Sequence, residues 1–361
     1  MVLEVFHVKE EDSVRVSHDA LRETVAALFE KVGVSAEDAS IGADVLVSAD
    51  LRGVDSHGVS NMMRSYIAGY TEGRLNPSPE WKITRETLSA ATIDCDRGLG
   101  IMLAPKAMEL AIEKATKTGI GIVTMGNGRH LGMAAYHAML ALEHDMIGTC
   151  LTAPGPQVPP TFGAAVRLGT NPIAVAVPTK KEPPFVFDAA TSTVATNKIV
   201  LARRLNAVIP GGMIADGNGT PILEPSTVPE DYMLLPAGST RAQGSHKGYG
   251  LACVVEILCS ILSGSGFAMM NERATVQHFV AAYSIDAFTD VEEFKETMDS
   301  FLQTMKDTPP APGEDRVLYP GQPEAEEEEE RRASGIPLHK EVIEWFNIVC
   351  GEFSVPKLRL L

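Results

Sequence analysis

The chain has 361 residues, of which 45% are hydrophobic and 22% charged, a balance that excludes disorder as the dominant state. That length exceeds what one hydrophobic core usually holds, so two or three lobes are expected. Lys and Arg total 31 against 47 Asp and Glu, a formal charge of −16, and a surface this acidic repels phosphate backbones and anionic lipid, setting nucleic acid and membranes aside as partners.

The stretch from Met1 to Asp12 has no basic region ahead of an apolar one and does not read as a signal peptide. In chain order, Leu21, Val25, Leu28, Phe29 and Val32 share one face of a helix that stops at Gly33. Ser35 with Asp38 has the form of a capping box and opens a second helix toward Leu46. The texture then changes: 90–94 reads as a strand, 104–117 as a helix, 119–125 as β-rich and 133–144 as a helix. Short buried strands are expected at 147–152, 173–177 and 185–187, then a helical segment from after Asp188 to about Leu205. A turn-rich stretch follows at 209–225. The apolar helix at 247–262 is interrupted by Glu256 and Ser260 and is too short to span a bilayer. A strand is expected at 279–285, an amphipathic helix at 291–305, and a solvated helix start in the acidic run 324–330. No internal repeat is visible. Five cysteines (95, 150, 253, 259 and 350) without a Cys-x-x-Cys pair read as reduced core residues in a cytoplasm, neither a disulfide framework nor a zinc site. A helical beginning, a mixed middle and a helical end indicate α+β architecture.

The segment Gly126-Asn-Gly-Arg-His-Leu-Gly132 follows a strand and precedes a helix, but its third glycine is one residue late for a Rossmann fingerprint, and no acid follows on the next strand to hold a ribose. Its histidine is more informative. His130 lies between glycines at a strand-to-helix junction, where a side chain projects into a cleft, and an imidazole suits proton exchange with an alcohol or ketone oxygen. His137 and His144 lie seven apart on the next helix and read as residues of its face; no metal site is expected. The corner Asp50-Leu-Arg-Gly-Val-Asp-Ser-His-Gly58 places Arg52 and His57 between glycines, with Arg64 and Tyr66 about two helical turns on. Arginine forks match carboxylates, so a small acid is the natural ligand. Gly169-Thr-Asn-Pro172 is a rigid polar turn. Asp188-Ala-Ala-Thr-Ser192 puts an acid at a strand end and hydroxyls that read as helix N-caps. Lys247, among glycines at the start of a helix, offers a point charge to phosphate or carboxylate.

Asp-Leu-Arg-Gly-x-Asp-Ser-His-Gly, Arg-His-Leu-Gly, Gly-Thr-Asn-Pro, Asp-x-Ala-Thr-Ser and Lys-Gly-Tyr-Gly-Leu, in this order, resemble the non-Rossmann malate/L-lactate dehydrogenase family, which includes ureidoglycolate, sulfolactate and cyclic imino-acid oxidoreductases. The resemblance implies a non-Rossmann nicotinamide-binding fold, with a largely antiparallel mixed sheet and a helical lobe from both termini. On this reading residues 1–85 with 290–361 form the helical lobe, and 86–289 the nicotinamide-binding and catalytic α/β domain. It also implies a homodimer with its site near the subunit boundary, NAD or NADP as cofactor, and a 2-hydroxy or 2-keto acid substrate. His130 stands at the proton donor/acceptor position and His57 with the residues after it, Asn61 and Arg64 among them, at the substrate position. Asp188, Ala189, Ala190 and Lys247 match cofactor contacts, with Thr170, Asn171 and Gly321 beside them. Two departures stand out: Asn61 occupies a position where many members carry arginine, and Ala153-Pro replaces a serine-bearing turn. Asp188 is left with two roles, steadying the histidine or contacting cofactor. Reduction of a cyclic imino acid, or a silent nicotinamide-binding paralogue, are the alternatives to hydroxy-acid oxidation.

Overall fold

A computed structural model describes residues 8–204, 206–272 and 274–361; most of the stretch read for a leader, and Leu205 at the expected helix end, lie outside them. The first layer opens with β1 (Ser13–Val16), α1 (His18–Lys31), α2 (Ala36–Leu51) and α3 (Val59–Thr71). Serine caps start the first two helices: Ser17 Oγ accepts from the Ala20 amide and Ser35 Oγ from the Asp38 amide, each satisfying an N–H that the helix leaves unpaired. Then come β2 (Lys82–Glu86), β3 (Ala90–Asp94), α4 (Gly100–Thr118), β4 (Ile120–Gly128), α5 (Ala134–Met139), β5 (Met146–Ala153), β6 (Ile173–Val177) and β7 (Phe185–Ala189). A small region follows with α6 (Thr196–Arg204), β8 (Val208–Ile209), β9 (Ile214–Asp216), β10 (Ser226–Thr227) and β11 (Tyr232–Leu234). The chain continues through α7 (Ser245–Glu256), β12 (Val276–Ser284), α8 (Val291–Lys306), α9 (Gln322–Ser334), β13 (Ile336–His339) and α10 (Lys340–Glu352).

The main sheet has seven strands in the order β2-β3-β4-β12-β5-β6-β7. Only the β3–β4 pair is parallel. This is the mixed, largely antiparallel sheet expected, and it is not doubly wound. Strand β12 shows the two-residue period of a strand covered on both faces: Val280 and Ala282 pack toward α4 and α5, while Phe279 and Ala281 pack toward α7. Two glycines let helices press onto the sheet. A Cβ at Gly121 would lie 1.8 Å from Ala111 O of α4, and one at Gly148 would lie 1.9 Å from Ala138 O of α5. Helix α5, which follows the His130 turn, is thereby seated on β5.

Both termini share one helical layer: β1 pairs antiparallel with β13, and Leu21, Leu28, Phe29, Leu46, Met63 and Phe346 sit in one buried cluster. Each such large side chain is worth roughly 1.5–3 kcal/mol on removal from water. The expected boundaries at 85 and 290 do not follow this packing. Residues 82–86 form an edge strand of the sheet. Helix α8 is tied to the β6–β7 loop instead, where Asp299 accepts the Lys180 amide at 3.0 Å and Lys306 meets Glu182 at 2.8 Å. The chain returns to the helical layer with α9, where Glu328 meets Arg52 of the α2 end, and the buried cluster takes up again at Ile336 and borrows Leu99, Ile101 and Met102 from the start of α4.

Two further expectations are corrected. Residues after Asp188 do not enter a helix at once, because Thr191 and Ser192 spend their hydroxyls on the carbonyls of Thr170 and Val194 and act as turn residues, not N-caps; α6 starts only at Thr196. His137 is not a face residue: it is fully buried, its Nε2 2.8 Å from Leu131 O. Among the described residues no helix is long and apolar enough to cross a membrane, and no group of His, Cys, Asp or Glu is arranged to hold a metal.

Candidate active site

His130 follows β4 on a short turn whose backbone is held from beneath by two buried histidines. His278 Nε2 lies 3.0 Å from Arg129 O while its Nδ1 meets Thr152 Oγ1 at 2.8 Å, and His137 reaches Leu131 O. A neutral ring with its proton on Nε2 serves as donor in each case, the tautomer following from the acceptor carbonyl. Burial pushes both rings down, His278 to about 3 and His137 to about 4, so they stay neutral through the physiological range. Gly132, with φ +75°, lets the chain turn back into α5.

The imidazole of His130 projects from this turn, half-buried. Its Nδ1 lies 2.6 Å from Tyr66 Oη of α3, with the Gly132 amide at 3.3 Å. Its ring stacks on that of His57, centroids 5.6 Å apart and planes 16° apart. Burial, then the neighbouring His57, lowers His130 to about 3. His57 is lowered to about 4, first by burial and then by the charge of Lys198. Burial raises the Tyr66 phenol, so it keeps its proton. Two neutral rings and a phenol thus meet where the N-terminal layer faces the sheet.

The corner that carries His57 is rigid. Asp50, wholly buried, accepts the Val59 amide at 2.8 Å and so caps α3, and burial followed by the charge of Asp55 raises its carboxyl well above the usual range. The substitution Gly58→Ala would set a Cβ 1.9 Å from Asp50 Oδ1, which explains the glycine. From α9, buried Arg331 reaches Asp55 at 2.6 Å, fastening that helix to the corner, while Glu327 of the same helix holds the guanidinium at 2.6 Å.

The expected substrate residues fare differently. His57 stands beside His130. Arg52 is buried and paired with Glu328 of α9 at 2.9 Å. Arg64 is more than half exposed, 3.6 Å from Glu341 and 5.7 Å from the Trp345 ring. Both guanidiniums are committed to partners within the chain. Asn61 donates to Asp55 O at 3.0 Å. Arg129, beside the histidine in sequence, turns back to its neighbour Gly128 O and adds no exposed charge to the cleft.

Of the expected cofactor residues, Thr170, Asn171, Asp188, Ala189, Ala190 and Gly321 lie by the β6–β7 end of the sheet. Asp188 accepts the Ala135 amide at 2.7 Å, at the start of α5, and its hydrogen bond runs there instead of to His130. Although part of its surface is open, desolvation by the surrounding protein, with the charge of Glu324, raises its carboxyl to about 6. Thr170 O accepts from the Thr191 amide at 2.9 Å, which lays the turn against Ala189 and Ala190. Asn171 is buried and turned inward, donating to Ala252 O at 2.9 Å and Glu256 at 3.2 Å, so its side chain braces the turn against α7. Gly321, with φ +96°, abuts β7: a Cβ there would meet the Val186 amide at 2.7 Å. Lys247 is exposed in the first turn of α7. An acid at a strand end and a cation at a helix start suit the hydroxyls and phosphates of a dinucleotide.

Two residues of this region carried no sequence signal, and a third, Tyr66, was noted beside Arg64 but given no role, since it shares a helix face with Met63 and Tyr70 in the manner of a core residue. Lys198 reads as an ordinary helix lysine. His278 sits within a buried strand.

A mixed sheet with a histidine-bearing turn, and no Rossmann loop, defines a class of oxidoreductase separate from the doubly wound dehydrogenases. The malate/L-lactate dehydrogenase family model matches residues 16–347, and the chain belongs to that family. It is 41% identical to the malate dehydrogenase of Pyrococcus abyssi over 97% of this chain and 98% of that one. It is 37% identical to the L-sulfolactate dehydrogenase of Methanocaldococcus jannaschii over 92% of this chain and 96% of that one. The crystal structure of malate dehydrogenase from Entamoeba histolytica superposes with a TM-score of 0.91 at 33% identity, covering 95% of this chain and 99% of that one.

Proposed function

We propose that this chain transfers a hydride between a nicotinamide and C2 of a small 2-hydroxy or 2-keto acid of the malate, lactate or sulfolactate kind, with His130 exchanging the proton on the substrate oxygen. The observation that carries the assignment is the His130–Tyr66 pair at 2.6 Å beside the His57 ring. A bound nicotinamide supplies or accepts the hydride. The remaining work falls to the chain's own groups. In oxidation, neutral His130 takes the hydroxyl proton at Nε2, which requires its other proton on Nδ1, where Tyr66 Oη accepts it. In reduction the proton returns from Nε2 to the ketone oxygen. The Tyr66 hydroxyl can accept from Nδ1–H or donate to its lone pair, so it partners Nδ1 in either tautomer, whereas the Gly132 amide donates to Nδ1 only when that nitrogen carries the lone pair. Lowered to about 3 by burial, His130 is unprotonated at neutral pH and so begins oxidation in the form that can accept a proton, though as a weak base. Neutral His57 presents an N–H to the substrate. Asp188, Ala189, Ala190 and Thr170, with Gly321 closing on β7 and Lys247 at α7, line the place proposed for the dinucleotide.

The proposed assembly is a homodimer through α7 and the π-helical turn that continues it, Ile257–Ile261. Leu251, Val254, Ile257 and Ile261 follow at helical spacing on one face, each about half exposed. Between Tyr249 and Asn271 the only charged residue is Glu256, which is buried. On a chain of charge −16 this uncharged face is where two copies can approach without repulsion, and it begins beside Lys247.

The test is a spectrophotometric panel of 2-hydroxy acids, 2-keto acids and cyclic imines with each nicotinamide. Turnover of at least one small 2-hydroxy acid and its keto acid is expected. Turnover confined to cyclic imines, or none from protein that binds nicotinamide, would overturn the reading.

A further inference from the structure

The reaction assigned above needs the His57 ring held against His130, and the peptide plane between Ser56 and His57 is fixed at both of its polar groups. Its N–H, that of His57, donates to Val54 O at 2.9 Å, a bond made within the corner. Its carbonyl, that of Ser56, accepts from Asn197 Nδ2 at 2.7 Å, and that amide comes from α6, 141 positions along the chain. The same Nδ2 approaches Met62 Sδ of α3 at 3.6 Å. Ser56 Oγ lies 3.0 Å from His57 Nδ1, so the residue that Asn197 holds also steadies the ring. We propose that Asn197 is a positioning residue: by gripping the Ser56 carbonyl it fixes the plane from which His57 hangs and keeps that ring stacked on His130, a role that rests on the reaction assigned above.

The grip is firm because α6 is itself well seated. Its Ile199 and Ala202 are fully buried in a small cluster with Val158, Val194 and Leu234. Between the strand end at Asp188 and α6 the chain is stitched down. The Thr191 amide donates to Thr170 O at 2.9 Å, the Thr193 amide to Leu235 O at 2.9 Å, and Thr193 Oγ1 to Met213 O at 2.8 Å. One braced segment therefore carries groups of the proposed dinucleotide place at its start and the grip on the substrate side at its end. Two rings stacked with their planes 16° apart depend on where that peptide lies, and a small misplacement of a reacting group is costly in rate.

The experiment compares wild type with Asn197→Leu, which keeps the branched shape but offers no N–H, and Asn197→Gln, which keeps the donor on a longer stem. It reads kcat/KM for the best 2-hydroxy acid, the nicotinamide dissociation constant, and the NMR shifts of the His57 and His130 ring protons, which report their stacking. Asn197→Leu should lower kcat/KM by about 3- to 10-fold, the loss of one hydrogen bond. Its ring-proton shifts should move toward unstacked values, while nicotinamide affinity stays that of wild type. Asn197→Gln should recover part of both the rate and the shifts. Asn197→Asp, equal in shape and lacking the donor, replaces Leu if folding suffers. Ring shifts equal to wild type in the folded variant overturn the role, whatever the rate, and so does an unchanged kcat/KM with the rings displaced. A wild type that turns over no hydroxy acid removes the assigned reaction; displaced rings in the variant then keep Asn197 as the anchor of His57, and unmoved rings overturn that as well.

Discussion

At the scale of single residues, the account turns on what surrounds one imidazole. Tyr66 should matter in proportion to a single buried hydrogen bond, roughly 0.5–1.5 kcal/mol net. Tyr66→Phe is therefore expected to lower kcat for hydroxy-acid oxidation by up to about tenfold, with nicotinamide affinity unchanged. The pH profile of the variant should also shift, because Nδ1 loses the partner that accepts its proton; a kcat and pH profile equal to wild type would remove Tyr66 from the proton path. His130 was legible in the sequence because glycines bracket it at a strand end. Tyr66 was noted beside Arg64, but its part as the partner of His130 was not legible, since its spacing with Met63 and Tyr70 is that of any core stripe and its partner lies 64 positions away. Arg52 misled for the same reason: an arginine among glycines looks like an anion fork, and only the fold reveals Glu328 of α9 beside it.

At the scale of elements, local signals were reliable where they are self-contained. The Ser35–Asp38 capping box, the strand at 90–94 and the strand at 173–177 depend on neighbours in sequence and appear where expected. The run after Asp188 failed because Thr191 bonds to the Thr170 carbonyl and Ser192 to that of Val194, β9 was hidden in the stretch 209–225 whose glycines and prolines read as turns only, and β10 and β11 fall just beyond it where no element was expected. Strands β1 and β13 escaped notice because their pairing joins the two ends of the chain. We propose drawing the lobes by packing, with β2 and α8 on the sheet side. The apolar face that runs from α7 into the π-helical turn at Ile257–Ile261 carries the prediction that belongs at this scale: Ile257→Glu, which plants a charge on it, should shift the wild-type dimer to monomer in light scattering. A wild-type monomer, or a variant still dimeric, would contradict the proposed interface.

For the molecule as a whole, four neutral histidines are buried about one turn of chain. His57, His130, His137 and His278 all titrate at about 3 to 4 in the folded chain against an ordinary value of 6.5. Between those values the unfolded chain binds more protons, so the stability they carry is full above pH 6.5 and is lost as pH falls toward 3 to 4, at about 1.4 kcal/mol per unit for each full proton of difference. Asp188 and Asp50, both raised, act in the opposite sense, since the folded state binds their protons first. Four outweigh two, and calorimetry should show a lower Tm at about pH 5 than at about pH 7; a flat or reversed dependence would mean those rings are not held neutral. The helical layer from both termini and the mixed sheet were foreseen through the family resemblance, since composition and periodicity alone indicated only an α+β chain. The central claim remains the proton exchange at His130, and its most direct test is turnover by His130→Asn with nicotinamide binding followed by fluorescence. The account predicts a loss of at least about 100-fold in kcat with cofactor affinity retained; turnover near that of wild type would contradict it.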